Sequence, residues 1–156
     1  LPVRPLTSDV RPVSSYSIAD ALPVLRRTPH VLRALLLDLP PVWLHGRDGP
    51  KRWSPAEVLV HLIEGERWLW VPRMEVILSD APDRRFPVFE REANFDRATS
   101  TPIADLLAEF ETKRGESVAH LEHRALTAAD LARTAQHPDL GQVTLLQLLS
   151  TWTAHD

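Results

Sequence analysis

Ser54-Pro55-Ala56-Glu57 is the feature that most narrows what this chain can fold into. A serine able to cap, a proline at the first helical position and a glutamate three residues after the serine make a capping box. The box opens a segment that runs to about Leu78 and is apolar around much of its circumference. A helix with that pattern must be covered on most sides, so it belongs at the centre of a helical domain. Pro72 lies inside it and predicts a kink or the break of one turn.

Three further helices are legible around it. Thr28-Pro29 reads as N-cap and first position of one, with Val31, Leu32, Leu35, Leu36 and Leu39 at helical spacing and Pro40-Pro41 as its stop. Ser17 to Arg27 forms a short helical lead-in, and residues 1 to 16, with Pro2, Pro5 and Pro12, read as an extended arm. Thr101-Pro102 opens another helix with the stripe Ile103, Leu106, Leu107, Phe110, Val118 and Leu121. Thr127 to Asp130 caps a single turn, His137-Pro138 and Gly141 mark a loop, and Thr144 with Gln147 is a second capping box. The last helix carries Leu145, Leu148, Leu149 and Trp152. No segment shows a strand period. The expected fold is all-α, a four-helix bundle with long inter-helix connections, over residues 17–156 as one domain.

Composition excludes several functions. Net charge is -3, so a basic nucleic-acid-binding surface is not expected. No apolar run reaches the roughly 18 residues of a membrane span. The chain has no cysteine, which removes thiolate nucleophiles and cysteine metal sites and fits a reducing, cytoplasmic setting. The apolar breadth of the second helix allows a homodimer.

Histidines carry the chemistry. His120 and His123 share a face, but it is the charged face of their helix, so a solvated surface is expected. His61 lies about two turns past the capping box, between Val60 and Leu62, and His155 lies three residues after Trp152 on the apolar stripe of the last helix. Two histidines thus point inward from helices distant in sequence. Spacing leaves two readings open: separately hydrogen-bonded core histidines, or two ligands of one metal. Trp68, Trp70 and Trp152 read as core.

Trp53 to Glu57 followed by Val58-Leu59-Val60-His61, then Glu66-Arg67 and Trp70 to Arg73, resembles the second-helix motif of the DinB/YfiT-like superfamily. His137 to Gly141, Val143 to Leu145 and Leu148 to Asp156 resemble its last-helix segment, so the likeness spans roughly residues 28 to 156. The resemblance implies a DinB-like bundle in which three histidines hold a divalent cation, one on the second helix and two, four residues apart, on the last. His61 matches the first and His155 the second. The third falls four residues past His155, beyond Asp156, and the reading therefore expects a chain truncated at its C-terminus.

Three imidazoles with open positions make a catalytic rather than a structural site. The resemblance implies a zinc or nickel ion that activates water or a thiolate, in a thiol-dependent S-transferase or a hydrolase acting on a small-molecule substrate, with a low-molecular-weight thiol as cosubstrate for transfer. Glu64, three residues from His61, is a weak candidate for a general base, against the plainer reading of a surface glutamate. Arg84, Arg85, Arg91 and Arg97 crowd the long connection, where acids are interspersed. The alternative function is a non-catalytic bundle that binds metal or dimerises.

Overall fold

The computed structural model describes residues 16–155. The expected arm over residues 1–16 lies outside them apart from Tyr16, as does Asp156. Four helices form the bundle: α1 (Ile18–Leu36), the pair α3 (Pro55–Trp68) and α4 (Trp70–Leu78), α6 (Ile103–His123) and α8 (Leu145–His155). Short helices α2 (Pro41–Leu44), α5 (Arg97–Ser100) and α7 (Ala128–Leu131) punctuate the connections, and strands β1 (Thr134–His137) and β2 (Gly141–Thr144) precede α8. α6 packs on both α3 and α1, while α8 packs on α4 and α1. The cyclic order is therefore α1, α6, α3–α4, α8. Among the described residues no helix is long and apolar enough to cross a membrane.

The capping box of α3 forms as read. The Ser54 hydroxyl accepts from Glu57 N–H at 3.3 Å and the Glu57 carboxylate accepts from Ser54 N–H at 2.8 Å. Ser54→Ala is expected to cost about 1 kcal/mol. The check is a lower urea midpoint at unchanged slope; an unmoved midpoint would contradict it. The helix then runs to Trp68 and breaks at Leu69, whose φ of -104° and ψ of -67° depart from the helical well. Pro72 sets the break, because its ring excludes the carbonyl one turn back and it has no N–H to donate there.

Pro29 behaves differently from the expectation. It does not open a helix: α1 begins at Ile18, capped by Ser17, and carries Pro23 and Pro29 internally. The lead-in and the first helix are one element. A proline at 29 leaves the Leu25 carbonyl without its intrahelical donor, and Arg114 Nη1 of α6 donates to that carbonyl at 3.1 Å. The helix survives because another helix makes the missing bond.

The hairpin β1–β2 is a second departure. Thr134 pairs with Thr144, Ala135 with Val143, Gln136 with Gln142 and His137 with Gly141, antiparallel. Arg84 and Phe86 add to its edge: Gln136 N–H donates to Arg84 O at 2.7 Å and Phe86 N–H to Gln136 O at 3.0 Å. With four residues per strand and only Ala135 buried, no alternation was available to betray it. Trp68 is likewise a correction. It is 62% exposed, while Trp70 and Trp152 are buried. Two residues apart on a helix lie roughly 200° apart around the axis, so Trp68 and Trp70 cannot share one core.

Two apolar clusters fill the bundle. One gathers Leu59, Ile63, Leu106, Leu107 and Phe110 between α3 and α6; the other gathers Trp70, Met74, Leu121, Leu148 and Trp152 between α4, α6 and α8. Leu62 is buried and Leu69 half-buried, so the second helix is central as expected. Most of its apolar side chains are covered within the chain, while Val58 and Trp68 stay exposed.

Carboxylates fasten the outer layer. Burial favours the neutral form of Glu57 and of Glu109, but the Arg47 guanidinium with the Ser54 cap holds Glu57 below its ordinary value of 4.5, and Arg97 with Arg67 does the same for Glu109. A depressed carboxylate contributes stability above the unfolded value and loses it as pH falls through the folded one. Glu109→Gln is therefore expected to lower the melting temperature at pH 7, with the difference from the wild type shrinking below about pH 4.5. A difference constant down to pH 3 would contradict this.

Candidate metal centre

His61 sits two turns into α3 and is 8% exposed. Its Nδ1 lies 2.9 Å from the carbonyl oxygen of Arg91. A carbonyl only accepts, so Nδ1 carries the hydrogen and Nε2 of the neutral ring keeps its lone pair. Burial lowers the pKa of His61 below 6.5, and the neighbouring His155 and Arg91 charges push the same way against the carbonyl bond. The ring is neutral at pH 7, with one nitrogen anchored and the other offered. This is the arrangement in which metal-bound histidines are held.

His155 ends α8. Leu145, Leu148, Leu149 and Trp152 are buried along one stripe, and His155 continues that stripe to where the helix leaves the core, so its side chain is exposed. Its ring centroid is 5.5 Å from that of His61, with the ring planes at 44°. Trp70 stands 5.5 Å away, edge to face with His155, and stacks on Trp152 at 5.8 Å. Trp53 and Phe89 complete an aromatic wall, 4.8 Å and 5.7 Å from the His61 ring.

The donor set fits a first-row cation as far as it goes. Nitrogens bound at 2.0–2.1 Å put each ring centroid about 3.2 Å from the ion, and two ligands at a tetrahedral angle then have centroids about 5 Å apart. The observed 5.5 Å is close to that spacing. Among the described residues no three His, Cys, Asp or Glu side chains gather as a metal-binding group. Two imidazoles would supply two of the four positions that a tetrahedral ion requires.

Glu64 lies elsewhere in the network. It is 2% exposed, not a surface group, and accepts from Trp68 Nε1 at 3.1 Å and Arg67 Nη1 at 3.2 Å, with Arg97 Nη1 at 3.9 Å. Its carboxylate ties α3 to α5 and, through the shared arginines, to Glu109 of α6. His137 is used in the hairpin turn, where its Nδ1 accepts from the N–H groups of Asp139 and Leu140 at 3.1 and 3.3 Å. His120 accompanies Arg124 on Glu75 at the surface, as expected.

The sequence did not reveal what seats His61. The long connection between α4 and α5 is bonded to the hairpin at Phe86, passes Phe89 beside the imidazole and delivers the Arg91 carbonyl to Nδ1. A backbone carbonyl leaves no residue-type signature. Trp53, directly before the capping serine, was visible as part of a motif but not as a wall of the site.

No curated protein matches the chain. Its structure is similar to that of YfiT from Bacillus subtilis, described as a probable metal-dependent hydrolase with an unusual four-helix bundle topology. The TM-score is 0.75 at 20% identity, and the match covers 93% of this chain and 84% of that one. At that identity the likeness establishes the fold, a four-helix bundle. The sequence profile of the DinB superfamily matches residues 25–156, which include α3, the hairpin and α8. This chain belongs to the DinB superfamily.

Proposed function

We propose that this chain is a divalent-metal-dependent enzyme acting on a small molecule, with His61 and His155 as two of the ligands. One observation carries the reading: imidazoles from α3 and α8 approach with ring centroids 5.5 Å apart, and the buried one has its Nδ1 fixed by a backbone carbonyl. Imidazole donors without thiolates suit zinc or nickel. The ion, when bound, lowers the pKa of a coordinated water or stabilises a thiolate, which serves hydrolysis or S-transfer with a small thiol.

The protein's own residues set the conditions. Arg91 O orients His61 and fixes its tautomer. Trp53, Phe89 and Trp70 surround the pair with apolar surface, which limits water and strengthens electrostatic interactions inside. His155, at the exposed end of its stripe, places the pair at a mouth that a substrate can reach. Glu64 has no part in this reading, because Arg67 and Trp68 hold its carboxylate.

The test uses the full-length protein. Metal is quantified as purified, then removed by chelation, and turnover is followed on aryl esters and on electrophiles offered with a small thiol. The expected result is equimolar zinc or nickel, with turnover lost on chelation and restored by the ion. Turnover indifferent to chelation would contradict the reading.

A further inference from the structure

An open cleft of about 720 Å³ adjoins the histidine pair, lined in part by Lys51, Arg52, Trp53, Arg91 and Glu92. That volume is ample for a small molecule. Trp53 and Arg91 belong to both places. Trp53 lies 4.8 Å from the His61 ring, and the Arg91 guanidinium lies 5.6 Å from the centre of Trp53. Arg91 itself turns its carbonyl to His61 and its side chain to the cleft.

The charges of this cleft differ from those of the other described residues. Elsewhere among the described residues basic side chains are engaged: Arg26 with Glu122, Arg33 with Glu111, Arg47 with Glu57, Arg97 with Glu109, Arg114 with Glu66 and Arg124 with Glu75, while Arg73, Arg84 and Arg133 donate to backbone carbonyls. Arg67, Arg85 and Lys113 also have carboxylate partners. Lys51, Arg52 and Arg91 make no ion pair and no side-chain hydrogen bond; Arg27 alone shares that condition among the described residues. Three of the four unengaged cations therefore converge on the one cleft beside His61. The cleft's acids are Glu92, which accepts the Trp53 indole N–H at 3.2 Å, and Asp48, so cations are in excess.

We propose that this cleft binds the anionic end of the substrate, a carboxylate or phosphate group held by Lys51, Arg52 and Arg91, so that the remainder of the molecule extends past Trp53 toward His61 and His155. Arginine forks and a lysine ammonium are suited to such oxyanions, and cations that hold no carboxylate of their own gain most from an incoming anion. The word substrate rests on the metal-dependent reading above; the anion site itself does not.

The test is a titration of the ¹⁵N-labelled full-length protein with citrate and with inorganic pyrophosphate at physiological ionic strength, following the Trp53 indole resonance. The same titrations are run on metal-loaded and metal-stripped samples, and on His61→Ala, with choline as a cationic control. The expected result is a saturable shift with at least one of the two anions and none with choline. Whichever anion binds more tightly identifies the oxyacid class. The triple variant Lys51→Ala/Arg52→Ala/Arg91→Ala, all at exposed positions, is expected to weaken that binding at least tenfold with circular dichroism unchanged. Absence of a saturable shift, or equal affinity in the triple variant, would overturn the proposal. Metal content is measured separately, so loss of the metal reading with anion binding retained is distinguishable from failure of the cleft.

Discussion

Arg114→Met is expected to remove about 3–5 kcal/mol of stability, a large share of the 5–15 kcal/mol typical of a domain. Arg114 and Glu66 are a fully buried pair, with side chains 1% and 0% exposed. Arg114 Nε donates to Glu66 Oε1 at 3.0 Å, and Trp152 Nε1 donates to the same oxygen at 3.2 Å. Arg114 also donates to the Leu25 carbonyl that Pro29 leaves open, and its guanidinium lies over Phe110 at 4.9 Å. All four bundle helices thus meet at one guanidinium and one carboxylate. Removing the arginine leaves Glu66 as a buried charge without its cation, and removes the side-chain donor that reaches the Leu25 carbonyl from α6. The double variant Arg114→Met/Glu66→Gln should recover much of the loss, since glutamine removes the charge yet keeps an acceptor for Trp152. Urea unfolding of the three proteins checks this. A single-variant cost below about 1 kcal/mol would show that the pair is not the junction described.

His61→Ala and His155→Ala are each expected to abolish stoichiometric metal binding. Loss of an outer-shell partner already costs 10–100-fold in affinity, and loss of a ligand costs more. The two variants differ in side effects, and that difference makes the experiment informative. His61 is buried against Trp53 and Phe89, so its truncation leaves a void and lowers the melting temperature even without metal. His155 is exposed at the end of α8, so its truncation leaves the metal-free fold nearly unchanged. Metal loss in both variants, with a marked stability cost in the first alone, is the expected pattern. Unchanged metal content in either would remove that residue from the site.

Much of this architecture was legible where side-chain chemistry is local. Ser54 with Glu57 and Thr144 with Gln147 announce helix starts through bonds made within four residues, and both form. The turn capped by Thr127 and Asp130 forms for the same reason. Apolar periodicity placed His61 on a buried stripe, whereas His155 lies at the exposed end of its stripe. What the sequence concealed is settled by partners distant along the chain. Thr28-Pro29 has the chemistry of a helix start, yet α1 continues through it because Arg114 supplies a donor from α6. The hairpin is held by ladder bonds and by the 84–86 segment rather than by any pattern of its own. Glu64 has the right offset from His61 for a base, but Arg67, Trp68 and Arg97 determine where its carboxylate goes.

The proposed function stands on one cation taking nitrogen from both His61 and His155. X-ray absorption spectroscopy of the zinc- or nickel-loaded full-length protein tests it most directly, with the same measurement on His155→Ala as the control. The expected first shell contains at least two imidazole nitrogens, at about 2.0–2.1 Å for zinc, with their outer-ring scattering diminished or the bound metal lost in the variant. A shell of oxygen alone, or a spectrum identical in the wild type and in His155→Ala, would contradict it.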